Sequence, residues 1–132
     1  MKVTADTNIL VRILTDDDPA QVALARSILV EAELIALTLP SLCELVWVLS
    51  RGYQLETQAI AHAVRVLLAA GNVAVNRPAA QAGLAMLEGG GDFADGVIAH
   101  EGAMLGAEEF VSFDRKAVAL LEKSGRAARV PA

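Results

Sequence analysis

The chain has 132 residues, 55% of them apolar and 20% charged, with a net charge of −5. That length suits a single domain that buries about two-thirds of the surface its extended chain would expose, and the composition excludes the disordered and fibrous classes. No apolar run reaches the roughly 18 residues that a bilayer crossing needs, and a single cysteine, Cys43, excludes an internal disulfide and a cysteine-rich zinc site.

Met1 leads straight into a strand, so a soluble cytoplasmic protein without membrane contact is expected. Residues 2–5 form that first predicted strand, ended by the polar triplet Asp6-Thr7-Asn8. Residues 8–14 predict a short helix. Asp18-Pro19 is a helix start, an N-cap acid followed by proline in the first turn, and Val22, Leu24, Ala25, Ile28 and Leu29 continue it at helical spacing. Residues 34–39 are too few for a helix and predict a second strand before Pro40. Helices follow over residues 41–50, closed by Gly52, and 56–70, stopped by Gly71. Residues 72–75 read as a third strand and 78–87 as a helix. Glu88-Gly89-Gly90-Gly91 reads as a flexible break, since it lacks the Gly-Lys-Ser/Thr ending of a phosphate-binding loop. Asp92 then opens a helix to about residue 105. Residues 109–113 are a fourth strand, 114–123 a helix and 127–130 a fifth strand. Short apolar strands alternating with helices predict an α/β fold, a parallel sheet covered on both faces, in one domain over residues 1–132.

Charge is unevenly spread. Residues 115–132 carry Arg115, Lys116, Lys123, Arg126 and Arg129 against Glu122, a balance of +4 that leaves −9 for the rest. An acidic total is a poor start for nucleic-acid binding, which draws on Lys and Arg. The tail is either a solvated helix face or a basic rim beside an acidic pocket.

The acids carry the chemistry. Asp6 closes the first strand, where open α/β sheets place their ligands; it could equally cap the next helix, as could Asn8. Glu44 lies inside Leu42-Cys43-Glu44-Leu45-Val46-Trp47-Val48-Leu49, apolar on nearly every side. A buried, lone carboxylate is costly, so it calls for a cation, a proton or an arginine partner. Asp92 and Asp95, three apart at a helix start, face one side, and both also suit a cap and the helix dipole. Asp114 ends the fourth strand and precedes a helix, another capping position. Thr7 and Ser112, beside the strand-end aspartates, could orient them or a bound water. Carboxylates gathered within ~4 Å repel by roughly 4 kcal/mol per pair at an effective dielectric near 20. Such a cluster needs a divalent cation or raised pKa values, and oxygen-only ligands point to Mg2+ or Mn2+. His62 and His100 read as ordinary, partly exposed histidines, and Trp47 as packing.

Four segments, in order, carry a resemblance: Asp6-Thr7-Asn8-Ile9-Leu10, Leu42-Cys43-Glu44-Leu45, Asp92-Phe93-Ala94-Asp95-Gly96-Val97-Ile98-Ala99 and Ser112-Phe113-Asp114-Arg115. Together, over residues 2–130, they resemble the PIN-domain ribonucleases, and in style the VapC-type toxins of bacterial toxin–antitoxin pairs. The resemblance implies a five-stranded parallel sheet of order 3-2-1-4-5, with Asp6 next to Asp114. It implies that Asp6, Glu44, Asp95 and Asp114 are the quartet holding Mg2+ or Mn2+, with Asp92 an accessory acid. The implied reaction is RNA cleavage by metal-activated water, leaving a 5′-phosphate, with Glu44 fixing the waters or acting as general base. Gly96 departs from the Ala of many relatives, a change expected to affect helix stability more than chemistry.

The expected partners are an RNA substrate, held in part by Arg115 and Lys116, and a cognate antitoxin. A mean hydropathy of +0.46 also predicts exposed apolar patches on the helices over residues 19–33 and 41–70, and hence a homodimer. The alternatives are a stand-alone RNA-processing PIN nuclease, a non-catalytic PIN-like binding module, and a haloacid-dehalogenase-like phosphatase, which would need an acid where Asn8 stands.

Overall fold

Strands β1 (Lys2–Thr4), β2 (Leu34–Leu37) and β3 (Val73–Val75) pair in parallel with β2 in the middle, in a computed structural model that describes all 132 residues. The chain divides into two units, Met1–Asn76 and Arg77–Ala132. In the first, Lys2 to Thr4 lie opposite Leu34 to Ala36, and Ile35 to Leu37 opposite Val73 to Val75. Parallel neighbours need crossovers, and helices supply them. α1 (Thr7–Leu14) and α2 (Pro19–Glu31) connect β1 to β2, and α3 (Leu39–Arg51) and α4 (Thr57–Ala69) connect β2 to β3.

The helices form where the sequence predicts them, because apolar residues recur at helical spacing and most of them reach a core; Leu24 of the expected α2 stripe is the exception, turned outward. Leu10, Leu42, Leu45, Leu49 and Val64 are wholly buried, each worth about 1.5–3 kcal/mol of transfer free energy. Two helix boundaries differ by two residues: α2 ends at Glu31 instead of 33, and α3 starts at Leu39, ahead of the predicted 41. Pro40 falls in its first turn, where a missing amide costs nothing, and Thr38 caps it by accepting from the Ser41 N–H. The second strand accordingly stops at Leu37.

The turn between α1 and α2 is fastened by side chains. Arg12 Nη1 donates to Asp17 Oδ1 (3.2 Å) and to Tyr53 Oη (3.1 Å), and Arg12 Nε donates to Gln21 Oε1 (2.7 Å). The Tyr53 hydroxyl in turn donates to Asp17 Oδ2 at 2.6 Å. That bond above all, with help from Thr15 and the Arg12 charge, holds the Asp17 carboxyl below its ordinary pKa.

In the second unit, α5 (Arg77–Glu88) and α6 (Phe93–Met104) are packed helix on helix, and β4 (Phe110–Val111), α7 (Arg115–Lys123) and β5 (Ala128–Arg129) complete it. The helix pair is tight because two glycines permit it. A Cβ on Gly83 would stand 2.7 Å from the Phe93 ring, and one on Gly96 would overlap the Ala82 carbonyl oxygen.

The glycine run after α5 is not a flexible break. The Gly90 N–H bonds to the Leu87 carbonyl (3.0 Å) and the Gly91 N–H to the Met86 carbonyl (2.9 Å), while Gly90 has φ +94°. This is a Schellman helix stop, with glycine in the left-handed position. Gly91 is pressed against Met86 and Leu120, so the turn is packed and aims the chain directly into α6.

The single five-stranded sheet of order 3-2-1-4-5 is corrected to two parallel sheets, β1-β2-β3 and β4-β5. The fourth strand shrinks from five expected residues to two. Its Phe110 and Ser112 amides both donate towards β5, to Ala127 and Arg129. The opposite edge of so short a strand offers only the Val111 groups, too few for a ladder. Beyond it, Ser112 Oγ accepts from the Asp114 N–H (3.0 Å), which bends the chain into the start of α7.

Candidate active site

Each of three candidate aspartates begins a helix and caps it with one oxygen. Asp6 Oδ1 accepts from the Ile9 N–H (3.1 Å) ahead of α1, and Asp92 Oδ1 from the Ala94 N–H (3.0 Å) ahead of α6. Asp114 Oδ1 accepts from the Ala117 N–H (3.0 Å) ahead of α7. All three are exposed. The capping alternative for these residues is therefore realised. A cap uses one oxygen, and the positive end of the helix dipole lowers the cost of concentrating negative charge there.

The second unit gathers three of the acids into one field. Asp95 sits in the first turn of α6, half-buried. Burial first, and then the charges of Asp92 and Asp114, push its carboxyl above the ordinary value. This is the response expected of a carboxylate that lacks a counter-charge. Ser112 contributes by fixing the Asp114 turn, as described. Arg115 and Lys116 are exposed in the first turn of α7, at the end of the dipole that disfavours cations by about 0.3–1 kcal/mol each.

The first unit carries Asp6, Thr7, Asn8 and Glu44. Thr7 is buried, whereas Asn8 is exposed and lines a groove with Asp6, Ile9, Arg12, Gln21 and Leu24 along α1 and α2. Glu44 corrects one expectation: it is exposed, so burial gives it no need of a cation or an arginine. The octet around it is apolar in composition, yet α3 turns Leu42, Leu45, Val46 and Leu49 inward and Glu44 out. Trp47 is corrected likewise, from packing to 62% exposed. The spacing of three between Glu44 and Trp47 already places them on one face; the apolar stretch masked that signal. His62 is exposed, and the half-buried His100 lies with Nδ1 3.1 Å from Arg126 Nη2.

No three acidic, imidazole or thiol groups close into a preformed metal cage. The donor set still fits a hard divalent cation by type. Every candidate is a carboxylate, and Asp92, Asp95 and Asp114 form a field that a cation would relieve.

No helix is long and apolar enough to cross a membrane. Among curated proteins no match is found. A family model described as PIN domain matches residues 3–122, from within β1 almost to the end of α7, and takes in all five acids. On that match, and with acid-capped helices over a parallel α/β scaffold, the chain belongs to the PIN domain family, a nuclease fold.

Proposed function

We propose that the chain is a divalent-metal-dependent endoribonuclease, the toxin of a toxin–antitoxin pair. The observation that carries this is Asp95, half-buried in the field of Asp92 and Asp114 on a fold whose family is one of nucleases. Asp6, Glu44, Asp95 and Asp114 would hold Mg2+ or Mn2+, with Asp92 as accessory. When bound, the ion supplies Lewis acidity towards water and the phosphodiester. Asp6 and Asp114 keep one oxygen each on a helix amide, which fixes the direction of the other. Glu44, exposed and untethered to its helix, orients the attacking water or accepts its proton. Arg115 and Lys116 sit where the dipole penalises them, a placement that substrate phosphates would compensate.

Two protein partners belong to the same reading. The groove along α1 and α2 has an apolar wall in Ile9, Leu24 and Ala25 and, besides Arg12, which is paired with Asp17, an acid, Asp6, in its lining. An antitoxin segment with apolar side chains and one basic residue suits it. Val30 on α2 and Val66 on α4 are apolar and exposed, as a homodimer contact would require.

The test is incubation of the purified chain with structured RNA in Mn2+ and in EDTA. Cleavage that needs the ion, leaves 5′-phosphates and is abolished by Asp95→Asn supports the reading; metal-independent or absent cleavage refutes it. Growth arrest on induction, relieved by the product of the neighbouring gene, separates a toxin from a stand-alone processing enzyme.

A further inference from the structure

Helix α3 divides sharply into two faces. Leu42, Leu45, Val46 and Leu49 fill the core, while Glu44, Trp47, Ser50 and Arg51 are exposed. Trp47 is the only tryptophan of the chain, and 62% of it is accessible, an unusual degree for so large an apolar side chain. It follows Glu44 by three residues and precedes Arg51 by four, so all three project from one side of the helix. They occupy roughly 10 Å of helix axis at 1.5 Å per residue. Arg12, Arg26, Arg126 and Arg129 are each held by acids, carbonyls or an imidazole; Arg51 is exposed at the end of α3.

An aromatic plane followed by a cation is the pairing by which proteins grip unpaired nucleic acid: the ring stacks a base and the cation meets its phosphate. Chemistry on this face favours that occupant over a protein helix. A partner helix would want apolar continuity around Trp47, and the exposed neighbours here are Glu44, Ser50 and Arg51.

We propose that Trp47 and Arg51 form a substrate-binding subsite, in which one unpaired RNA base stacks on the indole and an adjoining phosphate pairs with the guanidinium. The proposal rests on the ribonuclease reading and adds to it the residues that hold one unpaired base, since a base inside a duplex has no free face. Glu44, one helical turn from Trp47 on the same face, is the candidate site residue that α3 itself sets beside the subsite.

Since Trp47 is the sole tryptophan, the intrinsic emission of the intact chain reports on it alone. A short oligoadenylate and a duplex RNA serve as probes, in EDTA to prevent cleavage, after the parent has been assayed for Mn2+-dependent cleavage. Saturable quenching by the oligoadenylate and none by the duplex is expected. Trp47→Ala should weaken oligoadenylate binding about tenfold and Trp47→Phe should restore most of it, with melting temperatures unchanged because the side chain is exposed. Arg51→Gln should flatten the salt dependence of binding by about 0.7 in the log–log slope. Binding by anisotropy of labelled RNA with unmoved emission would overturn the subsite and leave the nuclease reading standing. Emission that follows protein concentration instead, together with a doubled mass, would mark the face as a protein contact and overturn it too. If the parent neither binds nor cuts RNA, the nuclease reading falls and the subsite with it.

Discussion

Gly96 in α6 and Ala82 in α5 meet backbone to backbone: a Cβ at position 96 would overlap the Ala82 carbonyl oxygen and stand 2.9 Å from the Gly83 Cα. The residue next to Gly96 is Asp95, so the helix crossing sets where that carboxylate stands. Gly96→Ala improves helix propensity by about 1 kcal/mol, but the crossing cannot yield without a backbone shift. A net loss of about 1–3 kcal/mol is expected, with weaker Mn2+-induced stabilisation as Asp95 moves. Thermal melts with and without Mn2+ check both. A stabilised variant would show that helix propensity, and not the crossing, governs this position.

Asp6 separates its two roles by substitution. Asn caps a helix as well as Asp does, whereas Ala costs about 1 kcal/mol. Asp6→Asn should therefore keep the metal-free melting temperature and Asp6→Ala should lower it, while both lose cleavage. An Asp6→Asn variant stabilised by Mn2+ as strongly as the parent would remove Asp6 from the ligands.

Asp95 predicts a pH dependence. Its carboxyl titrates above the ordinary 3.8 in the folded chain. Between the two values the folded state keeps a proton the unfolded state has lost, so stability falls as pH rises through that window and stays lower above it. Asp95→Asn should accordingly stabilise the metal-free protein at pH 7, with the advantage vanishing as the pH falls through this window towards 3.8. Mn2+ should raise the melting temperature of the parent and not of the variant. Parallel melts in acidic and neutral buffer decide it.

Arg115 and Lys116 should show opposed effects on stability and binding. Replacing both with Gln removes two cations from the α7 N-terminus, so stability should rise by about 0.3–1 kcal/mol per residue at low salt. RNA affinity should drop and its log–log salt slope flatten by up to about 1.4 for a single strand. An unchanged slope would return the pair to a solvated helix face.

Much of this molecule was legible before any coordinates. The apolar stripes at helical spacing, the proline after Asp18 and the acids at strand ends mark elements by local rules, and the helices lie within two residues of where those rules put them. Asp6, Asp92 and Asp114 were readable as caps and as candidate ligands for the same reason, since a carboxylate at a helix start serves either purpose. What local rules cannot express is which side of an element meets what. The run around Glu44 reads as buried because composition is apolar on every side, yet only one face of α3 finds a core, and Glu44 and Trp47 are left outside. Gly89 to Gly91 read as mobile because glycine is permissive, until a helix stop and the side chains of Met86 and Leu120 use that permissiveness to pack the turn. Gly96 reads as a weak helix residue, although its value lies in an absent side chain that another helix occupies. Burial, helix crossings and strand ladders depend on residues distant in the chain, and these alone separate a carboxylate that merely starts a helix from one that stands, like Asp95, in the field of two others.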